Sequence, residues 1–491
     1  MGKSLRSGGV LIALALIINV TGCVTETTNT ANTNMTTANS NTIASPSPAS
    51  SPAMTVRDAN YVPVTLPVLD AMFAEESFAP ELKTKLQLTD EQVEKLRTTA
   101  RAETGKLRET EGDEYSGSTA AARSQADAQI RAALGEEKAK QLETFVRERW
   151  NSGGEGGGGT TAEGPATPTT TGSKPNVVPT DTRIVVNAPA YRMDVFENGK
   201  LIKTYKVGIG YPEFPLPTGL RKATTIIFNP TWTPPDEPWV ESPSSKVKVG
   251  QKVEAGSALN PLGPIKIPIG SPSLIHGGKS PAKLGSFASH GCVGLTNAGV
   301  QDFAQVLGKL AGTEITKENV AEYAKAKTET KDVKLAKSVP VELRYETIVV
   351  EDGKLHIYRD VYDRDTNTEE NLRAVLEAHG VSLDQLSEGE RTQVMRALTQ
   401  MARDASGNPT DGALNATPGA SPVASPTNVA NKNTNTQQQG ERVTRGVKGQ
   451  KEVVIEIAAL AGKGYPAPVG GEFKSAQPQK KSGAARAGGR G

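Results

Sequence analysis

The chain has 491 residues, of which 36% are apolar and 4% aromatic, and its formal net charge is +2. So little apolar and aromatic material excludes a chain packed throughout its length, and long solvated stretches are expected. The two cysteines, Cys23 and Cys292, stand in unlike motifs and exclude a disulfide framework, and the small net charge by itself implies nothing about partners.

At the N-terminus, Lys3 and Arg6 precede an apolar run over 10–20. That run is shorter than the roughly 20 apolar residues a membrane span needs, so it reads as an export signal. Thr21 and Gly22 then supply small residues directly before Cys23. This segment resembles a bacterial lipobox, which implies a signal peptide over 1–23 and Cys23 as the lipidated first residue of the mature protein. The other reading is an ordinary cleaved signal beside a chance cysteine. Arg6 stands where a myristoylation motif needs Ser or Thr. The expected location is exported, on the periplasmic face, lipid-anchored to a membrane. Val24 favours the outer membrane, by resemblance to the usual sorting pattern.

Residues 24–58, rich in Thr, Asn, Ser, Ala and Pro, read as a disordered spacer, because they cannot bury enough apolar surface to offset the entropy of ordering. Residues 59–150 read as a helical module. Leu86, Leu88, Val93 and Leu96, then Ile130, Leu134, Leu142 and Phe145, fall near helical spacing. Thr89 and Gln92 suit a capping box. The run Leu88-Thr89-Asp90-Glu91-Gln92 resembles the LTxxQ signature of small periplasmic helical proteins of the Spy and CpxP type. A stalk or docking module is the expected role. Residues 151–180 are a Gly/Thr/Pro linker.

From 181 the texture becomes β-rich. Arg183-Ile-Val-Val, Met193-Asp-Val-Phe, Thr204-Tyr-Lys-Val-Gly and Thr224-Thr-Ile-Ile-Phe are strand candidates, and Glu197-Asn-Gly-Lys200 predicts a hairpin. Pro230-Thr-Trp-Thr-Pro-Pro235 cannot be a central strand and reads as a rigid surface loop anchored by Trp232. A second hairpin is expected where the run 339–350 meets Glu351-Asp-Gly-Lys354. Short helices are expected after Thr296, and two more over 368–404, with Gly380 stopping the first. The expected organisation is a mainly β catalytic domain at 181–312, a β extension at 313–365, a helical appendage at 366–404 and a disordered basic tail at 405–491. Residues 441–491 carry ten Lys and Arg against four Glu, which reads by default as a solvated tail.

The chemistry gathers around Cys292. A thiol is a nucleophile only as thiolate, which a neighbouring imidazole and a positive field stabilise. Two of the four histidines, His276 and His290, lie close in sequence, and no carboxylate occurs between Glu254 and Asp302, while Lys266, Lys279 and Lys283 do. That balance favours a thiolate and a carboxylate-bearing substrate. Gly277, Gly278 and Gly291 permit close backbone approach, and the Gly291-Cys292 backbone is suited to aim N–H groups at an oxyanion.

The pattern Ile275-His276-Gly277 with Ser289-His290-Gly291-Cys292-Val293 resembles the active-site signature of L,D-transpeptidases with the YkuD catalytic domain. The resemblance takes in Glu197-Asn-Gly-Lys200, Pro217-Thr218-Gly219, the Trp232 loop and Asn260-Pro-Leu-Gly-Pro264. It implies a YkuD-like β-sandwich with short helices and a reaction on peptidoglycan tetrapeptide stems. Cys292 would attack the L,D-amide and expel D-alanine, and an amine acceptor or water would resolve the thioester. His276 would be the base, the Gly277 carbonyl would orient it, Ser289 and His290 would shape the pocket, and the Gly291 and Cys292 N–H groups would serve the oxyanion. Gly294 stands where the family commonly has Arg, removing a carboxylate-binding fork. No cofactor, metal or nucleic acid is expected. A zinc site on His276, His290 and Cys292 lacks a fourth ligand from any CxxC or HxxxH element. The alternatives kept open are a peptidoglycan-binding structural lipoprotein with little turnover, and an L,D-carboxypeptidase.

Overall fold

A computed structural model describes residues 64–107, 118–152, 174–235, 240, 245–410 and 446–470. The expected signal peptide, Cys23 and the spacer lie outside the described residues, as do most of the 151–180 linker and residues 411–445 and 471–491.

Helices α1 (Leu66–Phe73), α2 (Phe78–Lys85), α3 (Asp90–Thr104), α4 (Thr119–Leu134) and α5 (Glu136–Ser152) form the N-terminal module. Side-chain oxygens of Thr65, Thr89 and Ser118 cap α1, α3 and α4. At Thr89 the exchange is reciprocal: Gln92 N–H donates to Oγ1 at 3.2 Å, and Thr89 N–H donates to Gln92 Oε1 at 3.1 Å. This is the capping box that the sequence predicts. Leu88, Val93, Leu96, Ile130, Leu134, Leu142 and Phe145 share one buried core with Phe78 and Trp150. Arg149 pairs with Glu75 and Glu81, tying α5 to the α1–α2 corner.

The second part begins with β1 (Arg183–Asn187), β2 (Arg192–Glu197), β3 (Lys200–Lys206), β4 (Ile209–Gly210) and β5 (Gly219–Phe228). The chain continues through β6 (Ile265–Pro268), β7 (Leu274–His276), β8 (Phe287–Ser289), β9 (Val293–Gly294), α6 (Asn297–Leu310), α7 (Lys317–Lys325) and β10 (Lys331–Arg344). Among the described residues, eight strands form a mixed sheet in the order β3-β2-β1-β10-β5-β6-β7-β9, and β4 pairs with β8. One hydrophobic core joins both sheets and α6. The predicted β2–β3 hairpin is present: Asn198 and Gly199 have φ of 51° and 79°, and Glu197 faces Lys200. Both positive values suit the tight turn that matches strand twist. Trp232 is half-buried, and its backbone makes an isolated bridge to Val253.

Two expectations need correction. The segment 313–365 is more than a β extension of the catalytic domain, because β10 lies in the middle of the sheet. It runs parallel to β1, with Ile184 facing Val341, and antiparallel to β5, with Val341 facing Arg221. Val339, Val341 and Leu343 alternate into the core, which a solvent-edge strand would not require. The run 339–350 then breaks after Arg344. β11 (Ile348–Glu351) and β12 (Lys354–Tyr358) leave for a separate, third sheet, joined by a hairpin with Asp352 and Gly353 at φ of 48° and 74°.

The tail is the other correction. After α8 (Glu369–Ala378) and α9 (Glu388–Met401), the chain returns as β13 (Glu452–Glu456), pairing along β12. Ile455, Ile457, Leu460 and Tyr465 are buried. Averaging charge over 441–491 hides the β-patterned Glu452-Val-Val-Ile-Glu456, which supplies a third strand. Beyond it, Val469 and Thr204 exchange hydrogen bonds at 2.9 and 3.1 Å, reaching the main sheet at β3.

Candidate active site

The register of two short strands sets the site. β7 and β9 run parallel, with Ile275 facing Val293 and His276 facing Gly294. Ile275 and Val293 enter the main core. Side chains alternate along a strand, so His276 and the residue just before β9, Cys292, belong to the opposite face. The strands therefore put the imidazole and the thiol on one side of the sheet. His276 is 3% exposed, and Cys292 is partly buried.

His276 Nδ1 lies 2.7 Å from the Gly277 carbonyl oxygen, which places the proton of the neutral ring on Nδ1, and the Leu262 backbone also hydrogen-bonds the ring. Burial, and then the Lys279 charge, pull the His276 pKa down to about 3. The ring is therefore neutral at pH 7. Burial also pushes the Cys292 thiol up, against a backbone hydrogen bond from Leu274 and the charges of Lys279 and Arg221. The expectation that the positive field wins at the thiol is thus reversed: desolvation outweighs it. The resting pair is thiol and imidazole.

Ser289 clamps the turn that carries the thiol. Its Oγ accepts from Cys292 N–H at 3.0 Å and donates to the Cys292 carbonyl at 2.6 Å. Of the two N–H groups expected at an oxyanion, that of Cys292 is therefore engaged. Gly291 N–H has no hydrogen-bond partner among the described residues. Gly291 has φ of 91°, a left-handed value that glycine adopts without strain. Ser273 Oγ donates to the Gly291 carbonyl at 2.8 Å, and the thiol lies 3.9 Å from the Pro272 carbonyl oxygen. His290 packs edge-on against the rings of Tyr211 and Phe214, at 5.1 and 4.7 Å. Its ring is held by these aromatic contacts.

A Cβ built on Gly294 would lie 2.7 Å from Lys279 Cγ, so the lysine stem occupies the room a side chain there would take. Lys279 acts electrostatically on both His276 and Cys292. Lys266 faces His276 in the β6–β7 register, and Lys283 is exposed on a 3₁₀ turn.

Residues 181–320 match the YkuD family, the L,D-transpeptidase catalytic domain. The YkuD match stops short of β10, although that strand completes the middle of the sheet. No curated protein matches the chain. Solved structures with which it shares similarity include the Ldtfm–avibactam carbamoyl enzyme, at 14% identity over 34% of this chain and 49% of that one, with a TM-score of 0.22. The catalytic domain of the Enterococcus faecium L,D-transpeptidase is 16% identical over 33% of this chain and 97% of that one, with a TM-score of 0.21. L,D-transpeptidase 3 of Mycobacterium tuberculosis, in complex with a faropenem-derived adduct, is 15% identical over 33% and 60%, with a TM-score of 0.19. The chain spans about half the length of the avibactam-modified enzyme.

Sequence reasoning missed three residues beside the YkuD site: Trp150, Arg221 and Ser273. Arg221 carried a usable signal, because it falls in phase with buried Ala223 on β5. Trp150 carried none, since its partner lies far along the chain.

Proposed function

We propose that this chain is an L,D-transpeptidase in which Cys292 forms a thioester with a peptidoglycan stem peptide. The Cys292 proton passes to His276 Nε2, and the sulfur attacks the carbonyl carbon of the stem's L,D-amide. The negative charge that develops on the carbonyl oxygen meets the Gly291 N–H. When the oxyanion collapses, the C–N bond breaks and the D-alanine amine leaves with the proton from His276. An amine acceptor repeats the steps in reverse on the thioester. The arrangement that carries this reading is the placement of His276 and Cys292 on one sheet face, with the proton of the neutral ring held on Nδ1 by the Gly277 carbonyl. The neutral ring has a lone pair to take the proton, its low pKa favours handing that proton on to the leaving amine, and the carboxylate-free stretch with Lys279 suits a donor that ends in a carboxylate.

Faropenem forms an adduct with the Mycobacterium tuberculosis relative, which supplies a probe. Incubation with faropenem is expected to add mass to the Cys292 peptide in the wild type and none in Cys292→Ala. A folded protein that stays unmodified at Cys292 would favour a peptidoglycan-binding module without turnover. Export and anchoring through Cys23 belong to the same proposal. Labelling with a fatty-acid probe is expected to disappear in Cys23→Ser, and persistence of the label would exclude that anchor.

A further inference from the structure

The helical module grips the catalytic part at two loops, 211–214 and 269–273. Thr65 Oγ1 donates to the Glu213 carbonyl at 2.9 Å, and Thr119 Oγ1 donates to the Pro212 carbonyl at 2.7 Å. At the end of α5, Trp150 Nε1 donates to the Ser271 carbonyl at 2.6 Å. The same indole ring lies 4.5 Å beneath the guanidinium of Arg221. Arg221 is 1% exposed, and its Nη1 donates to the Gly270 carbonyl at 2.8 Å. Its Nε and Nη2 have no hydrogen-bond partner among the described residues. A buried cation paired with no carboxylate is costly, and one held in place by an aromatic face and two carbonyls needs an anion to justify it. The loop it braces carries Pro272, whose carbonyl contacts the Cys292 thiol, and Ser273, which holds Gly291. Arg221 and Cys292 also act on each other's charge.

We propose that Arg221, clamped against Trp150 of the helical module, is the buried cation that stabilises the anion formed at Cys292. The module is then a working part of the active site, and Trp150 and Arg221 are positioning residues acting through the thiol. This deepens the L,D-transpeptidase reading and rests on it for its catalytic meaning. The thiolate itself is measurable apart from turnover.

The test is the pH dependence of Cys292 alkylation by iodoacetamide in the full chain, read by mass spectrometry on the Cys292 peptide. Arg221→Met is expected to raise the midpoint by about one unit, so that alkylation at pH 7 falls about tenfold. Arg221→Lys keeps the charge and is expected to recover part of that loss. Trp150→Leu, which stays apolar but removes the ring face and the N–H and leaves a cavity, is expected to shift the midpoint the same way. A merely structural role would lower the melting temperature and leave the midpoint unmoved, and that result in a folded variant overturns the proposal. If Arg221→Met does not fold, Trp150→Leu decides by the same criterion. A wild-type chain that never transfers acyl groups, while Arg221→Met still moves the midpoint, would sink the transpeptidase reading and leave this one standing.

Discussion

Ser289 Oγ bonds both the N–H and the carbonyl of Cys292, at 3.0 and 2.6 Å, so one buried hydroxyl closes the turn that presents the thiol. Ser289→Ala removes both bonds and leaves two backbone groups short of partners at a position that is 5% exposed. A loss of about 1–3 kcal/mol in unfolding free energy is expected. Acylation by faropenem should slow as well, while Ser289→Thr keeps the hydroxyl and most of both properties. Chemical denaturation alongside an acylation time course checks this.

Lys279 fills the space over Gly294 and acts on both His276 and Cys292. If it receives the donor's terminal carboxylate, Lys279→Met should raise KM for a tetrapeptide donor more than it lowers kcat. Loss of one charge-assisted contact of about 1.5–3 kcal/mol corresponds to roughly 10- to 100-fold in KM. An unchanged KM would return Lys279 to a purely electrostatic role at the thiol.

Asp363 joins the two parts of the molecule, taking Ser118 Oγ at 2.7 Å while its Oδ1 has no partner among the described residues. Burial, opposed by the Ser118 hydrogen bond, pushes its pKa from the ordinary carboxylate value up to about 8. The folded chain therefore binds one more proton than the unfolded chain between the usual Asp range and pH 8, and stability falls as pH rises through that window. Asp363→Asn is expected to flatten the decline. Melting temperatures from pH 5 to pH 9 measure it, and parallel curves for both proteins would contradict it.

The resting thiol and imidazole are both neutral, with Cys292 raised and His276 held near 3. Cys292 alkylation should accordingly climb steadily from pH 6 to pH 9, with its midpoint above the ordinary thiol value. A plateau beginning below pH 6 would indicate a thiolate–imidazolium pair instead.

Local signals made much of this legible in the sequence. The Asn198-Gly199 and Asp352-Gly353 turns, the Thr89–Gln92 box and the grouping of His276 with Cys292 each arise within a few residues, where spacing determines geometry. The position of β10 was hidden because a strand's neighbours are chosen by packing: Val341 meets Ile184 and Arg221 across long stretches of chain. β13 was masked by the basic residues around it. Trp150 over Arg221 was invisible for the same reason as β10, and the balance at Cys292 was misjudged because desolvation is a property of the folded pocket.

The most direct test of the thioester route is mass spectrometry of the chain incubated with a disaccharide-tetrapeptide and a D-amino acid, with Cys292→Ala alongside. Exchange of the terminal D-alanine in the wild type and none in the variant is the expected result, and tripeptide alone would make water the acceptor. A folded wild-type chain that gives neither product nor a Cys292 adduct would contradict the account.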